Sequence, residues 1–459
     1  MTAFGTIIAN ARIVTPGGIV EGSLGLRDGR IAAIAVGALS GEARERIDAE
    51  GLLVLPGAID VHVHFTGSTD DASQEVRDGS LGAAAGGVTT FVEMPHSAPP
   101  ATRLSDFLAK RDMIARNAMI DFGLWAGLDG RNDDELVTMA RAGALAFKAF
   151  LCGGAPDGEA PDPRGLPRLD DDGLVRAMRV LVPLRGLIGI HAENHSMLHG
   201  AINRLKAAGR HDPRAHAQAG PELAEIEAVA RVIALTREEG ARTHIVHLSS
   251  ARAGSLIAAA RADTDISVET CPHYLVLDED DLVRIGADAR CGPPLRPRAS
   301  VEALARLTLA GGIDMLASDH CPYLPEQKRA GDASIWEAGM GLTGIETLVP
   351  MSFSRLVVEG GMDIMRFAGM IATAPARRFG LHDRKGAIAL GLDADLCLFD
   401  PQARWTVRGT AFHGQAPWSA FEGMECTGRP VRTLVRGRTV WHAGQAGVEP
   451  GFGRFVVPT

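Results

Sequence analysis

The sequence predicts an α/β protein: a (β/α)8 TIM-like barrel with a small β-sandwich domain formed by the N- and C-terminal segments. Three observations carry this. Between about residues 55 and 375, short apolar runs alternate with longer helical stretches, the pattern of parallel strands joined by crossover helices. Both flanks read instead as short strands separated by turn residues. A length of 459 residues exceeds what one compact core accommodates. The expected division is 1–54 and 376–459 for the two parts of the small domain, and 55–375 for the barrel.

In chain order, Ile7 to Val14 reads as a strand closed by the Pro16-Gly17-Gly18 turn. Gly22 to Leu26 leads into a turn at Asp28-Gly29, and Ile31 to Val36 continues the sheet. In the barrel region, helices are expected over Leu104 to Ala118, Asp172 to Leu181, Pro221 to Glu239 and Ser300 to Leu309. Pro221 with Glu222, Glu225 and Glu227 makes a helix start, with proline in the first turn and acids at the positive dipole end. The stretch from Asp157 to Asp172 is rich in Pro, Gly and Asp. It reads as a loop bordering an active site. Beyond residue 380, Lys385 to Pro401 reads as turn, strand, turn, strand, and Val431 to Trp441 as a hairpin around Arg436-Gly437-Arg438.

Composition narrows the function classes. Hydrophobic residues make up 46% and charged residues 22%, ordinary for a soluble globular chain. The formal charge of −9 and the lack of a basic block argue against nucleic acid. No apolar run approaches the roughly 20 residues of a membrane span, and Met1 to Thr6 shows no signal-peptide character. The six cysteines lack a framework spacing, so reduced thiols in a cytoplasmic protein are expected.

Five clusters able to bind metal each close an apolar run: His62 with His64, then Lys148, His191, His247 and Asp319. At strand spacing, His62 and His64 point to one side and offer a bidentate grip on zinc or a similar ion. Lys148 lies in Ala146-Phe147-Lys148-Ala149-Phe150, where an unpaired ammonium would be costly. The plain alternative is a lysine snorkelling from a strand end. The chemical alternative is an amine whose pKa burial lowers until it captures carbon dioxide, giving an anionic carbamate that bridges two cations. Taken singly, His191 and His247 are more often core histidines, and Asp319 a cap or turn former. Together, four imidazoles, a carbamate and a carboxylate suffice for a binuclear site of two divalent ions, zinc by preference. Cys271, outside any Cys-x-x-Cys, reads as a buried packing residue. The Gly86-Gly87 stretch reads as a helix end rather than a phosphate loop.

These residues resemble the cyclic amidohydrolases of the amidohydrolase superfamily: allantoinases, hydantoinases or dihydropyrimidinases, and dihydroorotases. The resemblance spans nearly the whole chain. It includes Leu55-Pro56-Gly57 before Asp60-x-His62-x-His64, Phe147-Lys148, His191-Ala192-Glu193-Asn194 and Val246-His247-Leu248-Ser249. It continues through Glu269-Thr270-Cys271-Pro272-His273-Tyr274, Pro293-Pro294-Leu295-Arg296, Ser318-Asp319-His320 and Lys385-Gly386. It implies that His62, His64 and Asp319 bind a more buried metal and His191 and His247 a more exposed one. Carbamylated Lys148 would bridge them. Asp319 is implied as the base that takes a proton from the attacking hydroxide and hands it to the departing ring nitrogen. Backbone groups near Gly292 and Met340 are implied as a clamp on the substrate imide. A homo-oligomer, dimer or tetramer, is implied as well.

Within the superfamily, allantoinases fit best, through Phe147 to Cys152 and Val92-Glu93-Met94-Pro95. Their Glu-Pro-Gly-Arg stretch is replaced here by Phe65-Thr66-Gly67-Ser68-Thr69-Asp70, an altered substrate loop. Dihydroorotases carry arginine where Thr66 stands, asparagine where His96 stands and histidine where Tyr323 stands. Hydantoinases carry an oxyanion-donating tyrosine where Gly153 stands. His96 is therefore a candidate substrate-binding residue, beside Gly292 and Met340. The expected activity is opening of a cyclic ureide or imide, as from (S)-allantoin to allantoate. Two readings of another kind are a catalytically silent scaffold relative, opposed by the retention of all six ligands, and a single-metal deaminase, opposed by Lys148.

Overall fold

The computed structural model describes residues 4–97, 99–153 and 165–459. Residues 157–164 of the Pro-, Gly- and Asp-rich stretch lie outside these. Five strands come first: β1 (Phe4–Thr15), β2 (Gly18–Arg27), β3 (Arg30–Val36), β4 (Ala43–Asp48) and β5 (Leu53–Pro56). The β2–β3 hairpin turns at Asp28 and Gly29, with φ of 52° and 78°. Paired positive φ values match the right-handed strand twist, and Asp and Gly tolerate them.

Eight strands follow: β6 (Ala58–Val63), β7 (Val88–Glu93), β8 (Asp121–Gly127), β9 (Ala146–Phe150), β10 (Leu187–His191), β11 (Arg242–Ile245), β12 (Asp265–Thr270) and β13 (Met315–Leu316). They pair in sequence order, every pair parallel. Parallel strands need crossovers, and helices such as Ala72–Ala85, Leu104–Asn117, Asp171–Leu181, Glu222–Glu239 and Arg298–Ala310 supply them. Pro221 stands at the N-cap of its helix rather than inside the first turn, and Glu222 and Glu225 occupy that turn. Closure joins the last strand to the first. Val63 bridges His320, and the His64 amide donates to the His320 carbonyl at 2.7 Å. Asp60, fully buried on β6, accepts from the Ser318 amide at 3.1 Å.

The barrel is filled, not hollow. Ile59, Val61, Val92, Trp125, Val246 and Met315 form one buried cluster. The Trp125 indole donates to the Val61 carbonyl at 2.8 Å. Any side chain at Gly189 would collide with its ring, a Cβ there lying 2.3 Å away.

The last strands are β14 (Leu396–Thr406), β15 (Glu425–Val435), β16 (Arg438–His442) and β17 (Gln445–Ala446). They join β1–β5 in one nine-stranded mixed sheet, through the antiparallel pair β5–β14. The long β1 carries β4 along its first half and β5 along its second. Ile8, Leu24, Ile47, Val54, Leu396 and Leu434, from both ends of the chain, share one apolar core. Gly57 alone separates β5 from β6, and a Cβ there would strike Thr89 at 2.2 Å. The small domain thus hands the chain to the barrel at close quarters, five residues before His62.

Three buried aspartates, Asp121, Asp393 and Asp395, converge between the sheet and the barrel. Their neighbour is a lysine. Lys385 Nζ lies 2.8 Å from Asp121 and 2.5 Å from Asp395, and the Arg436 guanidinium also grips Asp121. This is an ion network joining the two domains, with cations already supplied by the chain.

Among the described residues, no helix is long and apolar enough to cross a membrane. All six cysteines are free, and Cys271 is fully buried, as the packing reading expects.

Candidate active site

The six candidate ligands come from five barrel strands, β6, β9, β10, β11 and β13: Lys148 stands in the middle of β9, and the others lie at or just beyond the C-terminal ends of their strands. That end is where barrel active sites form, because loops there diverge without disturbing the core. His62 Nε2 lies 3.1 Å from Asp319 Oδ1, and His64 Nε2 lies 3.5 Å from the same oxygen. These three present one ligand atom each within a sphere fit for an ion. The His62 ring is 5.2 Å from that of His247, which in turn is 4.5 Å from His191. The structure brings together every ligand expected from sequence.

Lys148 settles the choice between surface and core. Its side chain is 0% exposed and Nζ has no hydrogen-bond partner. It rests 4.6 Å from the centroid of the Phe150 ring. Snorkelling is excluded. Burial lowers its pKa to about 8, against the pull of Asp319 and Glu269. Burial, with the Lys148 charge second, drives His62 and His64 well below the usual imidazole range, so both are neutral and free to ligate. Asp319 rises to about 6, again chiefly through burial. His247 and Asp319 hold φ of 38° and 47°, in the left-handed region, which costs a non-glycine residue roughly 1–2 kcal/mol. Such strain at two candidate ligands points to a functional constraint.

Behind the ligands stand residues that sequence motifs contained but did not single out. Glu269 on β12 accepts from His62 Nδ1 at 2.6 Å, leaving Nε2 to face the ion site. Its other oxygen meets His244 Nε2 at 3.0 Å, and His244 Nδ1 meets Ser267 Oγ at 2.7 Å. Glu193 holds His191 Nε2 at 2.8 Å. Carboxylates placed this way fix the tautomer and orientation of metal-ligating histidines. Sequence offered little signal here, since β12 reads Asp265-Ile266-Ser267-Val268-Glu269-Thr270 and only the fold shows Glu269 fully buried.

The other candidates flank this centre. The His96 ring lies 4.8 Å from His64 and 5.2 Å from Phe150, and its Nδ1 is buried without a partner. The loop from Phe65 to Thr69 is pinned by two carboxylates. Glu93 accepts from the Phe65 and Thr66 amides, and Glu75 from the Gly67 and Thr69 amides. Gly292 and Met340 are neighbours, with Met340 Sδ 3.2 Å from where a Cβ on Gly292 would sit. Among the described residues, the backbone N–H and C=O of both make no hydrogen bond.

Whether this donor set fits a metal pair follows from its chemistry. Four imidazoles and a carboxylate suit zinc. A buried lysine nitrogen with no acceptor lacks only the carboxyl group that carbon dioxide would add.

The family model described as "Amidohydrolase family" matches residues 53–440. The chain belongs to the amidohydrolase family. An allantoinase of Rubrobacter xylanophilus is 40% identical over 461 residues, covering 100% of this chain and 98% of the relative. A dihydroorotase of Methanothermobacter thermautotrophicus is 36% identical, covering 95% and 94%. The solved L-hydantoinase (dihydropyrimidinase) from Arthrobacter aurescens superposes with a TM-score of 0.94 at 34% identity, covering 99% and 100%.

Proposed function

We propose that this protein hydrolyses the ring amide of a cyclic ureide, in the manner of an allantoinase opening (S)-allantoin to allantoate. The observation that carries the reading is Lys148, buried and unpaired among four histidines and Asp319. His62, His64 and Asp319 would hold one divalent ion, His191 and His247 a second, and carbamylated Lys148 would stand between them. Zinc is the proposed metal. When bound, such a pair supplies Lewis acidity and makes water nucleophilic near neutral pH.

The chain's own residues do the rest. The Lys148 amine, brought by burial to about 8, attacks carbon dioxide and releases a proton, leaving the carbamate. Asp319, raised to about 6, accepts the proton of the attacking water and returns it to the ring nitrogen as the C–N bond breaks. The free backbone groups of Gly292 and Met340 hold the imide edge. His96 Nδ1, buried and unpaired beside Phe150, supplies a further polar contact. The free cysteines support a reducing compartment, and the proposal extends to a cytoplasmic homo-oligomer, a dimer or tetramer.

Hydantoinase or dihydropyrimidinase activity is the second reading, favoured by the structural match to the L-hydantoinase. Dihydroorotase activity is disfavoured. Thr66 spends its hydroxyl on Glu93 at 2.9 Å and offers no cation to a carboxylate substrate. The test is hydrolysis by zinc-loaded protein of allantoin, hydantoin, dihydrouracil and dihydroorotate, each followed by loss of the ring amide. Allantoin is expected to turn over fastest, and stripping the metal to abolish turnover. Silence on all four by protein holding two zinc ions would overturn the reading. Asp319→Asn is expected to fold normally and lose about 10²–10⁴-fold in kcat, the usual contribution of a general base. An active variant would show that the base lies elsewhere.

A further inference from the structure

We propose that Lys328 is a positioning residue that sets the substrate clamp, holding the Gly292 and Met340 backbones in register from behind. The inference rests on the ring-opening reading above for its link to substrate, and on geometry for the tie itself.

Lys328 lies on the short helix Pro325–Arg329 and is 0% exposed. Among the described residues no carboxylate forms an ion pair with it, the Asp288 charge acting only from a distance. Its ammonium instead reaches three backbone carbonyls: Gly339 and Gly341 at 2.8 Å, and Arg290 at 3.2 Å. An ammonium has three donors, and all three are used. The Trp418 ring, 4.9 Å away, covers the remaining side.

The choice of acceptors gives the residue its meaning. Gly339 and Gly341 bracket Met340, and Arg290 stands two residues before Gly292. A single buried charge therefore gathers both strands of the clamp at one point. Other bonds reinforce the same segments. The Gly341 amide donates to the Arg290 carbonyl at 3.1 Å, His216 Nε2 meets the Cys291 carbonyl at 2.8 Å, and the Tyr274 hydroxyl donates to the Pro293 carbonyl at 2.6 Å. The backbone is tied on either side of Gly292 and Met340, while those two residues keep their own N–H and C=O groups free. Burying a cation costs several kcal/mol unless its donors are satisfied. Packing alone would be served by methionine or leucine at this position. A lysine there is explained by the need to gather carbonyls that would otherwise repel one another.

The experiment uses the metal-loaded full chain with Lys328→Met, which keeps volume and removes the donors. Amide hydrogen exchange is expected to speed up in peptides covering 288–296 and 336–343, and to stay unchanged in β6 and β13. With whichever ring the enzyme opens, KM is expected to rise by about tenfold or more while kcat stays within about threefold, because the clamp grips ground and transition state alike. Two bound metals are expected to remain. Lys328→Arg keeps the charge but spreads its donors over three nitrogens, and is expected to recover part of the KM. If Lys328→Met does not fold, Lys328→Arg carries the same exchange and KM comparison against the native enzyme. Unchanged exchange and KM in a folded variant would overturn the proposal. So would loosening spread evenly over the barrel, or loss of kcat together with metal, since either would make Lys328 a general stabilising residue. If the native enzyme opens no cyclic ureide, the functional reading falls, and the exchange pattern still decides whether Lys328 ties the two segments.

Discussion

Lys148→Ala is expected to lose turnover by on the order of 10⁴-fold and to lose bound metal at the same time, because groups that act as one unit fail together. Lys148 Nζ touches no acceptor, so its removal breaks no native hydrogen bond. The barrel should therefore fold, with a cavity in place of the side chain. Metal analysis of the purified variant, alongside a rate measurement, checks both halves. A small carboxylate such as formate or acetate, entering that cavity, is expected to restore part of the metal content and part of the rate, since it supplies the two oxygens of the carbamate. Full turnover with two metals in Lys148→Ala would sink the carbamate. So would mass spectrometry of the gently handled native protein showing only unmodified lysine at full activity.

Lys385→Met is expected to cost about 3–5 kcal/mol of stability, the usual result of removing one partner from a buried ion pair. Lys385 is 3% exposed, and its ammonium serves Asp121 and Asp395, with Asp393 at 3.7 Å. Without it, among the described residues Asp121, Asp393 and Asp395 keep only Arg436 and Arg384 as ion-pair partners. Denaturant unfolding of the metal-loaded protein is the measurement. Adding Asp395→Asn to Lys385→Met is expected to recover part of the loss, because it removes one uncompensated charge. A variant as stable as the native chain would show that the network contributes nothing net. Turnover in the surviving folded fraction should be unaffected, since no ligand lies in this network.

The candidate ligand set was legible because each candidate ends an apolar run. A barrel writes its active site along the chain as chemically odd residues on successive strands, and the candidates His62, Lys148, His191, His247 and Asp319 all follow that grammar. The hairpin at Asp28-Gly29 was legible for an equally local reason, the positive φ its turn requires. What stayed hidden depends on partners distant in sequence. Glu269 gains its role from His62, 207 residues away. Lys385 reads as an ordinary turn lysine until Asp121, 264 residues earlier, is placed beside it. Lys328 sits in Pro-Glu-Gln-Lys-Arg, a stretch that looks like solvated surface, and only the fold shows it buried. The position of Pro221 missed by one residue because cap and first turn differ only in ψ, which sequence does not report.

The pairing of β5 with β14 carries a consequence in time. Leu53–Pro56 meets its partner Leu396–Phe399 across about 340 residues of chain. At ribosomal speeds of about 5–20 residues per second, β5 waits roughly 20 to 70 seconds for that partner. During that interval, one edge of an apolar strand stands open immediately before the strand that carries His62 and His64. His62 and His64 are thus made early, next to a strand that is anchored late. Whatever order the His62–His64 turn takes from this sheet therefore arrives at the end of synthesis, once the last strands have closed it.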